Sequence, residues 1–571
     1  MKIAIVGAGF GGCAAARFCR EEFPDSEIHV FEKSPAVGGL ARLLQHAGSS
    51  FEAGASIIHI QNRYLVQFAE EFGLGQLAPL DTRLGLHDGR ELLFETSDRQ
   101  VVSLARMLWR YGLGPIWLDR WVGGFLKSFE TVYRLQKEGK AFRALSQGTP
   151  RRLLAALDHR FSPMLDDSLE DRLRHDGFNE RMIQELASGM VRVNYGQGLD
   201  IGAFVGAVAL CGSQGPLWAV EGGNQMLATK MLESSRAKLH RATVRKVEAN
   251  DGRYRIHADV QEGEVLTDED YDLVFLAAPL QDSKDLELVG PFKEDLIAKV
   301  VRPYQRIYAT FFESPPDAKA LRCSDPVPGI ILSTTGEGFN SIGLHSSSQK
   351  RDDQLIWKVF SPEPLTAEQS KKLFPNGPKC ETVAWWAYPK YEATGKKLAD
   401  TAFCLDGAGL YYCNAIEEAA SAMEMAVLGA KNCVLLASNR LKGFDCAGGF
   451  VAAGYPECIK GEWSSLDLAK CEEAPCSDVP KVRHAKDTRA CAGRKSGEIC
   501  PVECLPGYQL VSELRCERGV WLSGKCMAYC GLPTEAIGGA ISLEHCVDTP
   551  VGDSCAVVCQ PGKSPSFVTP L

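Results

Sequence analysis

The feature that most constrains this chain is a glycine-rich turn at its start. The apolar run Ile3-Ala4-Ile5-Val6 leads into Gly7-Ala8-Gly9-Phe10-Gly11-Gly12. An Ala-rich stretch follows, and a second apolar run, Ile28-His29-Val30-Phe31, ends in Glu32. A lone GxGxxG says little. A strand before it, a helix after it and an acid closing the next strand together make a dinucleotide-binding fingerprint. The glycines permit the tight turn and let backbone approach a pyrophosphate. The helix N-terminus supplies N–H donors, and Glu32 can accept from a ribose hydroxyl. The competing reading is a glycine-rich turn that binds no nucleotide.

The 571 residues, 45% hydrophobic and 24% charged, leave room for two to four domains. A net charge of -9 gives no electrostatic footprint for nucleic acid. Apolar residues at helical spacing predict a helix over 62–75, and 151–192 reads as helical and polar-rich. Short strands are expected near 242–248, 253–259 and 272–278, with a sheet-rich second domain from 304–312 and 328–360. A helix is expected over 415–442. No apolar run reaches the 18 residues of a spanning helix.

Further glycine segments continue the fingerprint. Gly38-Gly39-Leu40-Ala41-Arg42 resembles the second glycine motif of FAD enzymes in the amine oxidase and desaturase group, and Phe51-Glu52-Ala53-Gly54-Ala55-Ser56 resembles the stretch they lay against the flavin. Val220-Glu221-Gly222-Gly223-Asn224, the strand around Val244 and the strand 271–279 resemble further parts of that group. Gly409-Leu410-Tyr411-Tyr412 with Ala419-Ala420-Ser421-Ala422 resembles its closing FAD motif. The resemblance narrows at Phe51 to His59, Val191-Arg192-Val193-Asn194-Tyr195-Gly196-Gln197, Trp218 to Asn224, Asn340-Ser341-Ile342-Gly343, Phe360-Ser361 and Tyr411 to Glu417. In that order these segments are similar to the prenylcysteine oxidase family over residues 1 to about 442. Ala55 departs from the pattern, which has a second glycine there.

The resemblance implies an α/β fold. A Rossmann-type FAD-binding domain (about 1–75, 215–285 and 400–442) would carry an amine oxidase-like substrate domain containing a sheet (about 76–214 and 286–399). It implies FAD held by Gly7, Gly9, Gly12, Glu32, Lys33, Gly38, Gly39, Arg42, Gly54, Val244, Asn414, Glu417 and Ala422. The implied reaction cleaves the thioether of farnesyl- or geranylgeranyl-cysteine. A hydride passes from the prenyl carbon beside sulfur to FAD, and water adds to the cation. The adduct collapses to cysteine and a prenyl aldehyde, and molecular oxygen reoxidises the flavin to yield hydrogen peroxide. The cofactor does the difficult step while protein positions the carbon. No metal site is expected. The alternatives are an amine oxidase or isoprenoid desaturase on the same fold, or an extracellular binding protein with a vestigial oxidase domain.

Three residues are candidates for substrate chemistry. His59 could orient substrate or assist water, or be a hydrogen-bonded structural histidine. Arg192 could clamp the substrate carboxylate or sit in a structural ion pair. Tyr195 could line the cavity or pack. The stretch 106–127, where Trp109, Trp117 and Trp121 alternate with Arg106, Arg110, Arg120 and Lys127, fits a peripheral membrane contact, a tunnel wall or a buried helix with solvated arginines.

Cysteines are unevenly spread: eight lie in residues 1–433 and thirteen in 446–571. The C-x8-C-x3-C spacing of Cys491, Cys500 and Cys504 repeats at Cys546, Cys555 and Cys559. A C-x11-C with a following Gly-x-Trp occurs twice. These features resemble sushi modules, read as a partial segment at 443–475, a module at 476–528 and a truncated one at 529–571. Such a tail could bind protein or glycan, and zinc is the competing use of its cysteines. Disulfide density points to a lysosomal, secreted or lumenal location. No leader precedes the first strand, so a truncated start is expected, and the last repeat stops short of its partners.

Overall fold

The computed structural model describes residues 1–138, 148–250, 252–260, 270–280, 286–290, 303–349, 354–377, 379–392 and 401–442, and in the tail chiefly 479–506, 508–517, 520–522 and 524–530, with Cys476 and short strand segments. The chain divides into two units, residues 1–142 with 148–441, and 143–147 with 442–571.

The first unit is organised by two sheets. One has at its centre five parallel strands, Lys238–Asn250, Glu27–Glu32, Lys2–Val6, Leu273–Leu276 and Leu410–Tyr412 in that order. The inner strands are buried almost end to end, as expected where both faces of a parallel sheet are covered. The helix Phe10–Glu22 returns over the sheet and packs on the helix Gln225–Ser235. The strand Lys238–Asn250 then turns outward to pair antiparallel with Arg253–Val260, with a register shift after Val244.

The second sheet has seven strands: Lys379–Pro389, Tyr304–Phe312, Leu355–Ser361, Ser341–Ser346, Ile330–Ser333, Leu84–His87 and Leu92–Glu95. The strands at 84–95 were not anticipated from the sequence. They join through a parallel pairing of Leu84–His87 with Ile330–Ser333. One face is covered by the core of Phe312, Ile331, Ile342, Val359 and Phe374. A second core places Leu44, Phe51 and Ala53 from the hairpin Leu43–His46/Ser49–Glu52 against Ala309, Phe311 and Ile356. That contact brings the segment 51–56 onto the second sheet.

Two expectations are corrected. The helix expected over 415–442 begins at Met423. Residues 413–418 form a separate tight turn of helix, and 419–422 break between them. In the first turn of the long helix, the buried carboxylate of Glu424 accepts the N–H groups of Tyr64 at 2.9 Å and Leu65 at 3.1 Å, capping the helix Arg63–Glu71. Of the readings of 106–127, the buried helix holds for one face alone: Tyr111, Leu118, Val122 and Phe125 are buried, while Trp109 is 89% exposed and Trp117 56%. Among the described residues no helix is long and apolar enough to cross a membrane.

In the second unit, disulfides join Cys476 to Cys516, Cys491 to Cys500 and Cys504 to Cys526. They surround a small core that includes Val502, Leu514 and Trp521. These six sulfurs are therefore bonded to each other. The expected segment at 443–475 and the module at 529–571 lie largely outside the described residues.

Candidate active site

The site starts from the turn after the first strand. Gly7 has φ +99°, and a Cβ there would come within 2.8 Å of the Ala277 carbonyl oxygen. A Cβ on Gly12 would overlap the Gly7 carbonyl, so helix and strand touch backbone to backbone. Gly9 caps the helix with φ -76°, and no side chain caps the first turn and no acid lies in it. The helix N–H groups are left for an anion. The loop at Gly38 and Gly39 closes over this turn: Gly38 donates to the Ala8 carbonyl at 2.8 Å, and Gly38 bridges Gly9. The two glycine segments thus form one cradle whose wall is bare backbone.

Glu32 stands at its rim, buried at the end of the second strand. Its two carboxylate oxygens accept from the N–H of Ala8 and of Ser34, both at 2.7 Å. An ionised carboxylate offers about four acceptor positions, so a ribose hydroxyl can still be taken. Lys33 beside it is exposed, and Arg42 lays its Nε on the Gly39 carbonyl at 3.1 Å. Val244 is buried at the register shift of its strand. The cradle fits a dinucleotide pyrophosphate: where the anion would approach, the chain has glycine and a helix start that no side chain caps among the described residues.

The segment 51–56 leads away from the cradle. A Cβ on Gly54 would overlap the Leu40 carbonyl, and Ala55 donates to the same oxygen at 3.3 Å. Asn224, wholly buried, ties this segment to the turn 220–224. Its N–H donates to Glu52 Oε1 at 2.6 Å, its Nδ2 to the Ala55 carbonyl at 2.8 Å, and its Oδ1 accepts from Val220 at 2.9 Å.

Sequence reasoning missed Lys358. It lies mid-strand in the second sheet, 1% exposed, and its Nζ donates to the Glu52 carbonyl at 3.1 Å and the Ser56 hydroxyl at 2.9 Å. Burial pushes the lysine down to about 7 and the Glu52 carboxyl up to about 7. Glu52 Oε2 has no hydrogen-bond partner among the described residues. The signal was present: a lysine at an inward position of Leu355-Ile356-Trp357-Lys358-Val359-Phe360, where solvation is impossible unless partners are supplied.

The closing segment brings Asn414 and Glu417 into a small cavity with Tyr304, Pro389 and Thr401. Glu417 accepts from the Tyr304 hydroxyl and, at 3.2 Å, from Ser421. Ala422 lies exposed just before the long helix and accepts from Ala426 at 2.9 Å. Tyr195 joins this end of the site. It is buried, donates to the Ser421 carbonyl at 3.0 Å and meets Tyr388 and Tyr391 edge to face. Arg192, one turn earlier, donates from Nε to the Thr334 carbonyl at 3.0 Å. Burial lowers its pKa, and Asp200 opposes that shift. His59 has both ring nitrogens engaged by backbone: Nδ1 accepts from Gln61 at 3.1 Å, so Nε2 carries the proton and donates to the Gln214 carbonyl. Among the described residues no hydrogen bond or ring contact joins His59 to Arg192 or Tyr195.

The profile of the prenylcysteine lyase family matches residues 94–445, and that of NAD(P)-binding Rossmann-like domains matches 5–72. Prenylcysteine oxidase 1 of Homo sapiens is 33% identical over 464 residues, covering 77% of this chain and 90% of that protein. Prenylcysteine oxidase 1-like of Homo sapiens is 31% identical over the same shares. Among solved structures, a putrescine oxidase triple mutant superposes with a TM-score of 0.52 at 16% identity, over 76% of this chain and 97% of that one. Cyclohexylamine oxidase from Brevibacterium oxydans superposes at 0.51 and 14%, over 77% and 99%. At such identities these two structures share the fold alone.

Proposed function

The chain belongs to the prenylcysteine lyase family, and on that premise we infer that it is an FAD-dependent oxidase that cleaves the thioether of S-prenylcysteine. Its products are cysteine, a prenyl aldehyde and hydrogen peroxide, with molecular oxygen as acceptor. The observation that carries this reading is one chain holding both the family match over 94–445 and a bare-backbone cradle shaped for a dinucleotide. Bound FAD supplies hydride acceptance from the carbon beside sulfur and reoxidation by oxygen.

The chain's own residues hold and exclude. Gly7, Gly9, Gly12, Gly38 and Gly39 present backbone to the pyrophosphate, and Glu32 is placed for the ribose, with Lys33, Arg42 and Val244 flanking the same half. Gly54 and the segment around it stand where the flavin ring would lie, anchored from behind by Asn224 and Lys358. Asn414, Glu417 and Ala422 would close the far side. The cluster Tyr195, Tyr388 and Tyr391 gives an aromatic wall beside them, which suits a prenyl chain. Arg192 is the candidate to hold a substrate carboxylate, with its Nε on the Thr334 carbonyl and Asp200 acting on its charge. For His59 the engaged ring favours a role in holding the strand Ile58–His59 against Leu217–Val220.

The tail is read as a sushi-like appendage. The interleaved Cys476–Cys516 and Cys504–Cys526 pairs support this, and a protein or glycan is its expected partner. Its disulfides favour a lysosomal or secreted location. The test is direct. Purified FAD-loaded protein given farnesylcysteine in air should release peroxide and free thiol in equal amounts, with putrescine giving neither. Peroxide from the amine and none from farnesylcysteine would overturn the substrate and leave the flavin fold standing.

A further inference from the structure

Two helices, Gln100–Tyr111 and Gly114–Phe129, carry a face that the protein does not bury. Val101 is 81% exposed, Trp109 89% and Leu113 61%, and Leu104, Ile116 and Trp117 are exposed with them. Val101 and Leu104 lie three residues apart, and Trp109, Leu113 and Trp117 follow one another at steps of four, all facing outward, while Tyr111, Leu118, Val122 and Phe125 point into the protein. These six exposed large apolar residues within seventeen positions, two of them tryptophans, are not the scatter of single apolar residues that ordinary surfaces show.

Its charge is the second observation. Residues 99–138 hold seven Lys and Arg against three Asp and Glu, a net +4 on a chain whose total is -9. The cations flank the stripe. Arg120 lies over the Trp117 ring at 5.5 Å, and Arg106 rests on the Glu95 carbonyl at 3.0 Å. Arg110 is neutralised in a two-pronged pair with Glu185 at 2.6 and 2.8 Å. A second copy of the chain would bring net +4 against net +4 across a two-fold interface, which is unfavourable. An anionic partner is favoured on the same ground. Tryptophans beside basic residues on an amphipathic helix suit the water–lipid interface, where an indole is half apolar and half hydrogen-bonded.

We propose that the stripe from Val101 to Arg120 docks the enzyme on an anionic lipid bilayer. Trp109 and Trp117 enter the interfacial zone, and the flanking cations meet the lipid headgroups. The two helices lie in the membrane plane and do not span it. Apolar burial sets the depth, and the cations add an attraction that salt screens.

The experiment is flotation of the full-length, FAD-loaded protein with extruded vesicles of phosphatidylcholine and phosphatidylserine, and of phosphatidylcholine alone. The wild type should float with the mixed vesicles, less with phosphatidylcholine alone, and less again at high salt. The double variant Trp109→Ser/Trp117→Ser should keep its flavin absorbance and its turnover of soluble farnesylcysteine, while its partition onto the mixed vesicles falls roughly tenfold or more. Arg106→Gln with Arg120→Gln should flatten the salt dependence. A wild type that stays at the bottom of the gradient overturns the proposal, as does a double variant that floats equally well. A wild-type dimer made monomeric by the tryptophan changes would assign the stripe to self-association instead. Because turnover is read separately, failure of the substrate reading leaves the flotation result interpretable.

Discussion

Two glycines of the first turn, Gly9 and Gly12, are demanded by different things, and substitution separates them. At Gly9 the backbone has φ -76°, open to any residue, and an added Cβ would meet only the Gly39 Cα at 3.7 Å, an ordinary contact. The protein itself places no demand for glycine there; a pyrophosphate does. An alanine methyl at the helix cap would hold the phosphates off the first N–H groups. Each charge-assisted hydrogen bond lost is worth about 1.5–3 kcal/mol, or roughly ten- to a hundred-fold in the dissociation constant. At Gly12 the same methyl overlaps the Gly7 carbonyl oxygen, backbone against backbone, and the strain of about 1–3 kcal/mol or more falls on the fold itself. Gly9→Ala should therefore melt like the wild-type apoprotein yet bind FAD at least about tenfold more weakly. Gly12→Ala should melt lower even without FAD. The assay is flavin titration of apoprotein, followed by fluorescence, alongside thermal melts by circular dichroism. A Gly9→Ala protein that binds FAD within about twofold of wild type would refute the cradle.

Three further outcomes are expected. Lys358 has a folded pKa lowered to about 7 from 10.5, so its burial weakens the fold fully below pH 7, and that penalty vanishes as pH rises to the unfolded value. Lys358→Met should gain most over wild type in melting temperature at or below pH 7 and least near pH 10; a difference that does not vary with pH would contradict the burial argument. Arg192→Ala should raise KM for farnesylcysteine more than for a prenyl thioether lacking the carboxylate, and equal effects on both would make Arg192 structural. Non-reducing peptide mapping should recover the Cys476–Cys516, Cys491–Cys500 and Cys504–Cys526 pairs, and removal of residues 446–571 should leave turnover intact; loss of turnover from a soluble flavoprotein would refute the latter.

What could be read from sequence was local. Gly7 to Glu32 declares strand, turn, helix and strand within 32 residues, because the glycines, the apolar runs and the acid all serve one neighbourhood. What escaped was set by distant partners. The strand Leu84–His87 exists through a parallel pairing with Ile330–Ser333, a neighbour no local pattern announces. The fate of His59 is decided by Gln214, 155 residues on. The role of Glu424, capping another helix 359 residues earlier in sequence, is equally invisible locally. Lys358 was hidden by the apolar residues around it, whose strand pattern drew attention away from the one charge that had to find partners inside. The exposure of Trp109 was equally out of reach, since helical spacing gives a face but not whether a neighbour covers it.

The central claim is that this chain passes the electrons of a prenyl thioether to FAD. Anaerobic mixing of the FAD-loaded protein with farnesylcysteine tests it in one turnover. The flavin's visible absorbance should bleach with release of one cysteine thiol and one farnesal per flavin, and should return with peroxide when oxygen is admitted. A flavin that stays oxidised with farnesylcysteine, in a preparation that an amine reduces, would contradict it.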